Sequence, residues 1–378
     1  MTAFERPDHE VLRVGLVGCG DVAMRRYVPA LLELDGRVEV VGCCDPQEEL
    51  AERAAGWCRL LWPDTRSFAT SEELLAGCEV DAVFNLTPIP VHAEESSAAL
   101  DAGAHVFTEK PIAESLAEAD RLMELALSRR RLFMSAPAVA LSPRIRWLRD
   151  LVASGRLGSP TLATGFVGGL GAAAWREYTG HPGGAYRILG GPLLNLGVYL
   201  LHAFVELVGP VRAVQAMGEI AIPTRRIRSG PYAGETVDVR APDQFLVHLD
   251  FGDGVLGDLV ASYAVPASCA PWLELHLTGG SVSVGADTQW DADGPVDVFV
   301  DDPGPLGLEG WLEDARDGPE DPGNVVALGP SHFVDVLLGQ AEPILHIEQA
   351  RHVLEVCLRA VESAQDGRVH SIEEASAR

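Results

Sequence analysis

Residues 11–23 read Val-Leu-Arg-Val-Gly-Leu-Val-Gly-Cys-Gly-Asp-Val-Ala, and this stretch decides the fold. Residues 11–17 form a short apolar run broken once, at Arg13, the pattern of a parallel strand buried on both faces. The run feeds Gly18-Cys19-Gly20-Asp21-Val22-Ala23, a G-x-G-x-x-A turn, and helix-period sequence follows over residues 24–34. Each small residue has a physical reason. Gly18 permits the tight turn, Gly20 lets the backbone approach a pyrophosphate, and Ala23 lets the helix pack closely on the strand. The phosphates then face the free N–H groups of the first helical turn, at Asp21 and Val22. A second strand, residues 38–44, ends at Asp45, the distance on at which a dinucleotide site carries its ribose-binding carboxylate. A carboxylate there accepts from the ribose 2′-hydroxyl and repels a 2′-phosphate. No Arg follows Asp45 immediately, so NAD is expected over NADP.

The same alternation continues outward. Helices are expected over 47–55, 71–76, 93–102 and 115–128, and strands over 81–86, 105–108 and 132–136, which together make a βαβαβ pattern. The strand ending at Leu86 runs into Thr87-Pro88, a turn expected near the nicotinamide ribose, and His92 opens the next helix as a cap or a cofactor contact. The strand at 105–108 ends in Glu109-Lys110-Pro111. Lys110 is the only lysine among the 29 Lys and Arg residues. Arg keeps its proton in a protein, whereas a Lys in a pocket can shift its pKa and exchange one. A lone Lys past the carboxyl end of a parallel strand stands where α/β proteins bind ligands.

Past Ala136 the pattern changes. A helix is expected over 143–154 and a strand over 160–167. A Gly-rich loop then carries Trp175, Arg176, His181, Tyr186 and Arg187, candidates for contacting hydroxyl, carboxylate or phosphate groups. The helix expected over 193–207 is apolar nearly all round, and Asn195, Tyr199 and His202 share one face at spacings of four and three. Strands over 211–219, 243–251, 254–264, 272–277 and 281–284 alternate as in an antiparallel sheet. Residues 291–330, acidic and rich in Gly and Pro, read as a loop, with helices over 331–338 and 347–363. The expected domains are 1–136, a dinucleotide-binding Rossmann domain, and 137–378, an α+β domain, to which the resemblance described below assigns substrate binding and oligomerisation.

The net charge of −26 over 378 residues argues against nucleic acid and anionic membranes as partners. Seven scattered cysteines without a C-x-x-C pair favour neither a metal site nor a disulfide scaffold. The polar first ten residues hold no signal-like apolar region, and no apolar run reaches membrane-spanning length, so a cytoplasmic protein is expected.

Taken in order, Gly18-Cys19-Gly20-Asp21-Val22-Ala23, Asp45-Pro46, Thr87-Pro88 with His92, Glu109-Lys110-Pro111, the run from Gly190 to Tyr199 and Ala350-Arg351-His352 resemble the Gfo/Idh/MocA oxidoreductases, the family of glucose-fructose oxidoreductase and inositol dehydrogenase. The resemblance covers almost the whole chain. It implies an α/β protein, a Rossmann domain followed by an α+β domain whose open, mostly antiparallel sheet mediates a dimer or tetramer. It implies NAD(P)-dependent hydride transfer at a carbinol carbon of a sugar-like polyol or keto-sugar, and a Lys110–Pro111 bond in the cis form. It makes Lys110 the substrate-orienting catalytic residue, with Glu109 beside the cofactor. Many members carry Asp-x-Gly-x-His-x-x-Asp where this chain has Asn195-Leu196-Gly197-Val198-Tyr199-Leu200-Leu201-His202. Tyr199 in place of the His resembles the sugar-oxidising and keto-sugar-reducing branches, in which a Tyr is the acid/base. Asn195 can orient a hydroxyl but cannot hold a charge, and His202 is the alternative titrating group. Two other readings stay open: a dinucleotide-binding sensor or non-catalytic subunit, and an NAD-assisted lyase or hydrolase without net redox.

Overall fold

The computed structural model describes residues 4–176, 178–187, 189–285, 295–301, 309–313, 315 and 325–373. These fall into two compact units. The first holds the residues through Ala138 together with Val326–Arg351; the second holds Val139–Val325 and the residues from His352 on.

In the first unit six parallel strands form one sheet: β1 (Leu12–Val17), β2 (Val38–Cys44), β3 (Arg66–Phe68), β4 (Ala82–Asn85), β5 (His105–Thr108) and β6 (Phe133–Ser135). Their order is β3-β2-β1-β4-β5-β6. The strands are short and apolar because helices cover both faces, and β4 and β5 are buried at every position. The order reverses between β1 and β4, which opens a crevice outside their carboxyl ends. The glycine turn, Thr87-Pro88 and Glu109-Lys110-Pro111 all leave the sheet at that end. Of the crossover helices, α1 (Val28–Leu32) continues a π-type turn over Ala23–Tyr27, and α2 (Glu48–Cys58), α3 (Ser71–Gly77), α4 (His92–Asp101) and α5 (Leu116–Arg129) follow in turn. Ser115 and Glu118 close a reciprocal capping box on α5.

One part of the expected domain division is corrected. Residues 326–351 belong to the first unit. The cause is aromatic. After α6 (Pro143–Ala153) and α7 (Val198–Leu207), helix α8 (Val325–Leu337) brings Phe333 to ring-centroid distances of 5.6 Å from Phe84 and 5.7 Å from Phe107. Tyr27 completes the cluster at 6.2 Å and 6.1 Å from the same two rings. The unit boundary then falls inside the last helix, α9 (Ile347–Asp366).

The second unit is built on a nine-stranded sheet. Its strands are β7 (Pro160–Gly168), β8 (Ala213–Glu219), β11 (Gln244–Gly252), β12 (Val255–Ser262), β13 (Leu273–Leu277), β14 (Gly280–Val284), β15 (Val296–Val300), β16 (Gly310–Leu312) and β17 (His370–Ser371). A separate hairpin pairs β9 (Thr224–Arg226) with β10 (Thr236–Asp238). The order is β16-β15-β14-β13-β7-β12-β11-β8-β17, antiparallel except where β12 runs parallel to β7. The inner face packs on α7, with Leu200 pressed against Gly165. The outer face is open: Leu246 stands opposite Met217, and Leu256 opposite Leu162, all four at least 36% exposed.

The sequence reading missed the β9–β10 hairpin, β17, and two strands inside the stretch read as a loop. Val296, Val298 and Val300 alternate and extend the sheet beyond β14, and α8 begins at Val325, before the end of that loop. Within 291–330, residues 291–294, 302–308, 314 and 316–324 lie outside the described ones. Among the described residues no helix is long and apolar enough to cross a membrane.

Candidate active site

The first-unit half of the site grows from the glycine turn. Gly18 has φ +89°, and a Cβ there would lie 2.7–2.8 Å from backbone atoms of Leu86 and Thr87, so no side chain fits. Gly20 is the opposite case. A Cβ there would meet nothing within 4 Å, so the turn presents bare backbone to open space. That is the cradle a pyrophosphate needs, and Ala23, fully buried, lets the following helix sit close behind it. The Asp21 carboxylate pairs with Arg25 one turn on at 2.6 Å. Asp45 is 8% exposed. It accepts from the Cys19 N–H at 2.9 Å and the Gln47 N–H at 2.9 Å, tying the end of β2 to the glycine turn. An ionised carboxylate has about four acceptor positions, so two remain for ribose hydroxyls. The residues present fit a dinucleotide.

The turn after β4 is held from below by Asn85, which is fully buried. Its amide nitrogen donates to the His92 carbonyl and to Ser96, both at 2.9 Å, and its oxygen accepts from the Thr87 hydroxyl at 2.6 Å. Thr87 and Pro88 are thereby fixed, with Pro88 exposed. His92 is not a surface contact for a cofactor. It is 1% exposed, and its ring nitrogens face the carbonyls of Thr87 and Pro111 at 2.6 Å and 2.7 Å. Nor does it cap its helix, whose N-cap position is Val91 without a side-chain bond.

Glu109 is buried at the end of β5. Its carboxylate accepts from the Tyr27 hydroxyl at 2.8 Å and from the Lys110 N–H at 3.1 Å. It therefore fixes the backbone on which the half-buried Lys110 stands. The Lys110–Pro111 bond is cis, as the resemblance implied.

The second unit carries the other candidates. Asn195 and Tyr199 are half-buried on one face of the helical run that enters α7. The Asn195 amide donates to the Gly191 carbonyl at 3.0 Å, and its side chain lies near that of Tyr263. Tyr263 in turn meets Tyr186 edge to face at 5.8 Å. Tyr186, expected to reach substrate, is 1% exposed, and its hydroxyl accepts from the Ala173 N–H at 2.8 Å. It organises the loop from inside, and burial pushes its pKa up. Arg176, His181 and Arg187 are exposed, and the His181 ring lies 4.9 Å from that of Tyr232. Lys110 and Tyr199 belong to different units.

His202 is corrected as a titrating group. It is 8% exposed, and burial, with a smaller contribution from His352, pulls its pKa down from 6.5 to about 3. It stays neutral across the working range of an enzyme. The sign for stability follows. Above pH 6.5 the folded and unfolded chains both hold a neutral His202. Below it the unfolded chain takes a proton that the folded chain refuses until about pH 3. Stability should fall through that window by on the order of 1 kcal/mol per pH unit from this residue. Urea unfolding at pH 7 and 4.5 checks this, with His202→Leu expected to flatten the slope relative to the unsubstituted protein.

Tyr27, Asn85 and Tyr263 escaped the sequence reading. Only Asn85 left a local signal, as a polar residue closing an apolar strand two positions before Thr87-Pro88.

The comparisons agree with this geometry. Residues 12–136 match a family model described as "Oxidoreductase family, NAD-binding Rossmann fold", and residues 145–283 match the GFO/IDH/MocA C-terminal domain. The chain is 31% identical over 237 residues to a dTDP-3,4-didehydro-2,6-dideoxy-alpha-D-glucose 3-reductase of Actinomadura kijaniata, covering 57% of this chain and 65% of that one. An enzyme of the same name from Streptomyces violaceoruber is 32% identical over 218 residues, covering 55% of this chain and 58% of that one. The matched stretch thus spans less than two thirds of either relative's length. In fold, the chain is similar to the WlbA dehydrogenase from Bordetella pertussis, solved in complex with NADH and UDP-GlcNAcA, with a TM-score of 0.75 and 20% identity over 96% of this chain and 99% of that one. The glycine cradle, the acid closing β2 and the two matched domains lead to one conclusion: the chain belongs to the GFO/IDH/MocA family of oxidoreductases, and its first unit is an NAD-binding Rossmann fold.

Proposed function

We propose that the protein is an NAD-linked dehydrogenase or reductase of a sugar-like polyol or keto-sugar, with Lys110 and Tyr199 as its catalytic residues. The observation that carries the reading is the end of β5, where buried Glu109, held by Tyr27, fixes the backbone of the chain's only lysine beside a dinucleotide cradle. The two reductases of a dTDP-linked keto-sugar, and an inositol 2-dehydrogenase of Saccharopolyspora erythraea 28% identical over 153 residues, support the substrate class. When bound, the nicotinamide ring takes or gives the hydride. The protein's own part is the proton. In the oxidative direction Tyr199 receives the hydroxyl proton. A phenol with a free pKa of about 10 needs help at neutral pH, and a charged Lys110 amine would supply part of it by polarising the substrate oxygen. Asn195, its amide anchored to Gly191, orients a neighbouring hydroxyl. Steady-state assays of free and nucleotide-linked sugars in both directions test the reading. Tightly held dinucleotide with no turnover on any of them would overturn it in favour of a sensor or non-catalytic subunit.

Asp45 favours NAD over NADP in this reading. Because its carboxylate also bonds the Cys19 and Gln47 N–H groups, Asp45→Ser should weaken both cofactors. It should weaken NAD more, which narrows the gap by about tenfold, the worth of one charge-assisted hydrogen bond. Nicotinamide fluorescence titrations check this; tighter NADPH than NADH binding by the unsubstituted protein would overturn the assignment.

The open face of the nine-stranded sheet suits a homo-oligomer, a dimer or tetramer in the cytoplasm. Leu162, Met217, Leu246 and Leu256 expose too much apolar side chain for a solvated face. Light scattering should find Leu246→Glu shifted toward smaller species.

A further inference from the structure

Two carbonyl oxygens face one histidine ring. His92 Nδ1 lies 2.7 Å from the Pro111 oxygen and Nε2 lies 2.6 Å from the Thr87 oxygen. Both partners accept only, so every bond here needs an N–H from the ring. The carbonyls belong to different turns. Thr87 leaves the sheet after β4, and Pro111 leaves it after β5, next to Lys110. The regular ladder between these strands ends with Asn85 opposite Thr108, closed by a last bond from the Glu109 N–H to the Asn85 carbonyl at 2.9 Å. Beyond that point the two turns diverge, and the His92 ring spans them.

We infer that His92 is a positioning residue for the reaction, the tie that sets where Lys110 stands relative to the Thr87-Pro88 turn. The inference rests on the role proposed for Lys110. Its physical content is a second constraint on one short segment. Glu109, held by Tyr27, fixes the backbone entering Lys110, and His92 fixes the backbone leaving it, at the Pro111 carbonyl. A side chain between two such anchors loses the freedom to swing with its turn. The anchor is also rigid at its own base, since the His92 carbonyl accepts from the buried Asn85 amide at 2.9 Å. The ring is 1% exposed, so water does not compete for the two carbonyls. A neutral imidazole has one N–H and satisfies one carbonyl; the protonated ring satisfies both. Burial outweighs the two carbonyls and the Glu109 charge and, with the Lys110 charge, pulls the ring's pKa below its ordinary value, so the neutral ring donates to one carbonyl at a time. A group that offers two N–H donors without a charge should therefore do the same work.

That defines the variants. His92→Gln keeps an amide with two N–H donors, and His92→Phe keeps a flat ring with none. The readout uses the composition of the chain. With one lysine in the sequence, a sample labelled with 15N-lysine gives a single backbone amide signal, that of Lys110, whose N–H bonds Glu109. In the full-length protein without substrate, His92→Phe should shift or broaden that signal while the circular dichroism stays native. It should lower kcat by about tenfold or more, with a smaller change in KM for NAD, because a displaced reacting group costs rate before it costs cofactor binding. His92→Gln should return the signal and the rate toward those of the unsubstituted protein. A Lys110 signal unmoved by His92→Phe, with only the melting temperature lowered, overturns the inference. If His92→Phe does not fold, an unmoved signal and full kcat in a folded His92→Ala decide against it equally, and a shifted signal supports it. A shifted signal with unchanged kcat leaves the tie standing and sinks instead the catalytic role of Lys110.

Discussion

Lys110→Ala should lower turnover by about a hundredfold or more, the usual scale for a positioned acid/base group. Two losses combine. Under the proposed role, the substitution removes a positive charge beside the reacting oxygen, and it removes the donor that orients that oxygen. Glu109 stays behind, still held by Tyr27, so the backbone anchor survives and the loss reports on the amine. Lys110→Arg should fail too, since it restores charge but neither the shape nor the exchangeable proton. Tyr199→Phe should match the loss in kcat and leave dinucleotide affinity almost unchanged, because the cofactor cradle is made of first-unit backbone at Gly18 and Gly20. Stopped-flow transients with saturating cofactor separate the two: hydride transfer slows in both variants, and cofactor titration moves in neither by more than a few fold. Full turnover in Lys110→Ala would remove the mechanism altogether. His202 offers no substitute, being buried and neutral with a pKa of about 3.

The site was legible in the sequence where backbone geometry dictates residue type. Gly18 must be glycine because a Cβ would strike Leu86 and Thr87, and Gly20 because a ligand must touch bare backbone. Such requirements recur wherever a strand turns into a helix against a phosphate, so they show in a row of letters. Choices among partners far apart in sequence left no such mark. Nothing in the sequence around Phe333 names Phe84 and Phe107 as its neighbours, and chain order alone assigned it to the wrong unit. His92 was visible at a helix start, but which carbonyls it meets depends on the pairing of β4 with β5. The β9–β10 hairpin was invisible for another reason. Its inward residues are Val237 and Arg225, and an arginine reads as surface until the acid that buries it is known.

That acid is Asp243, and Asp243→Ala should destabilise the protein by about 3–5 kcal/mol, the cost of breaking a buried ion pair by removing one partner. Arg225 and Asp243 have side chains only 6% and 1% exposed, and Nη2 of Arg225 donates to Oδ2 of Asp243 at 2.5 Å. Each partner is also bonded elsewhere. Nη1 of Arg225 donates to the carbonyls of Leu170 and Tyr263, both at 2.9 Å, and its guanidinium lies 5.5 Å from the centre of the Tyr186 ring. Asp243 accepts from the backbone N–H groups of Ala221 at 2.7 Å and Ile222 at 3.1 Å. Alanine at 243 therefore strands a buried guanidinium and two backbone donors at once. Asp243→Asn keeps an acceptor and loses the charge, so it should cost less than Asp243→Ala. The double variant Arg225→Met with Asp243→Leu should recover much of the loss, since no charge is then left unpaired. Urea unfolding measures all three, and a loss below about 1 kcal/mol in Asp243→Ala would place the pair with weakly contributing surface bridges. The consequence for function runs through the loop. Arg225 holds the Leu170 carbonyl and packs on Tyr186, which carries the Ala173 N–H and meets Tyr263, a neighbour of Asn195. Asp243→Asn, folded but with its loop less firmly held, should raise the KM for the sugar-like substrate while the KM for NAD stays put.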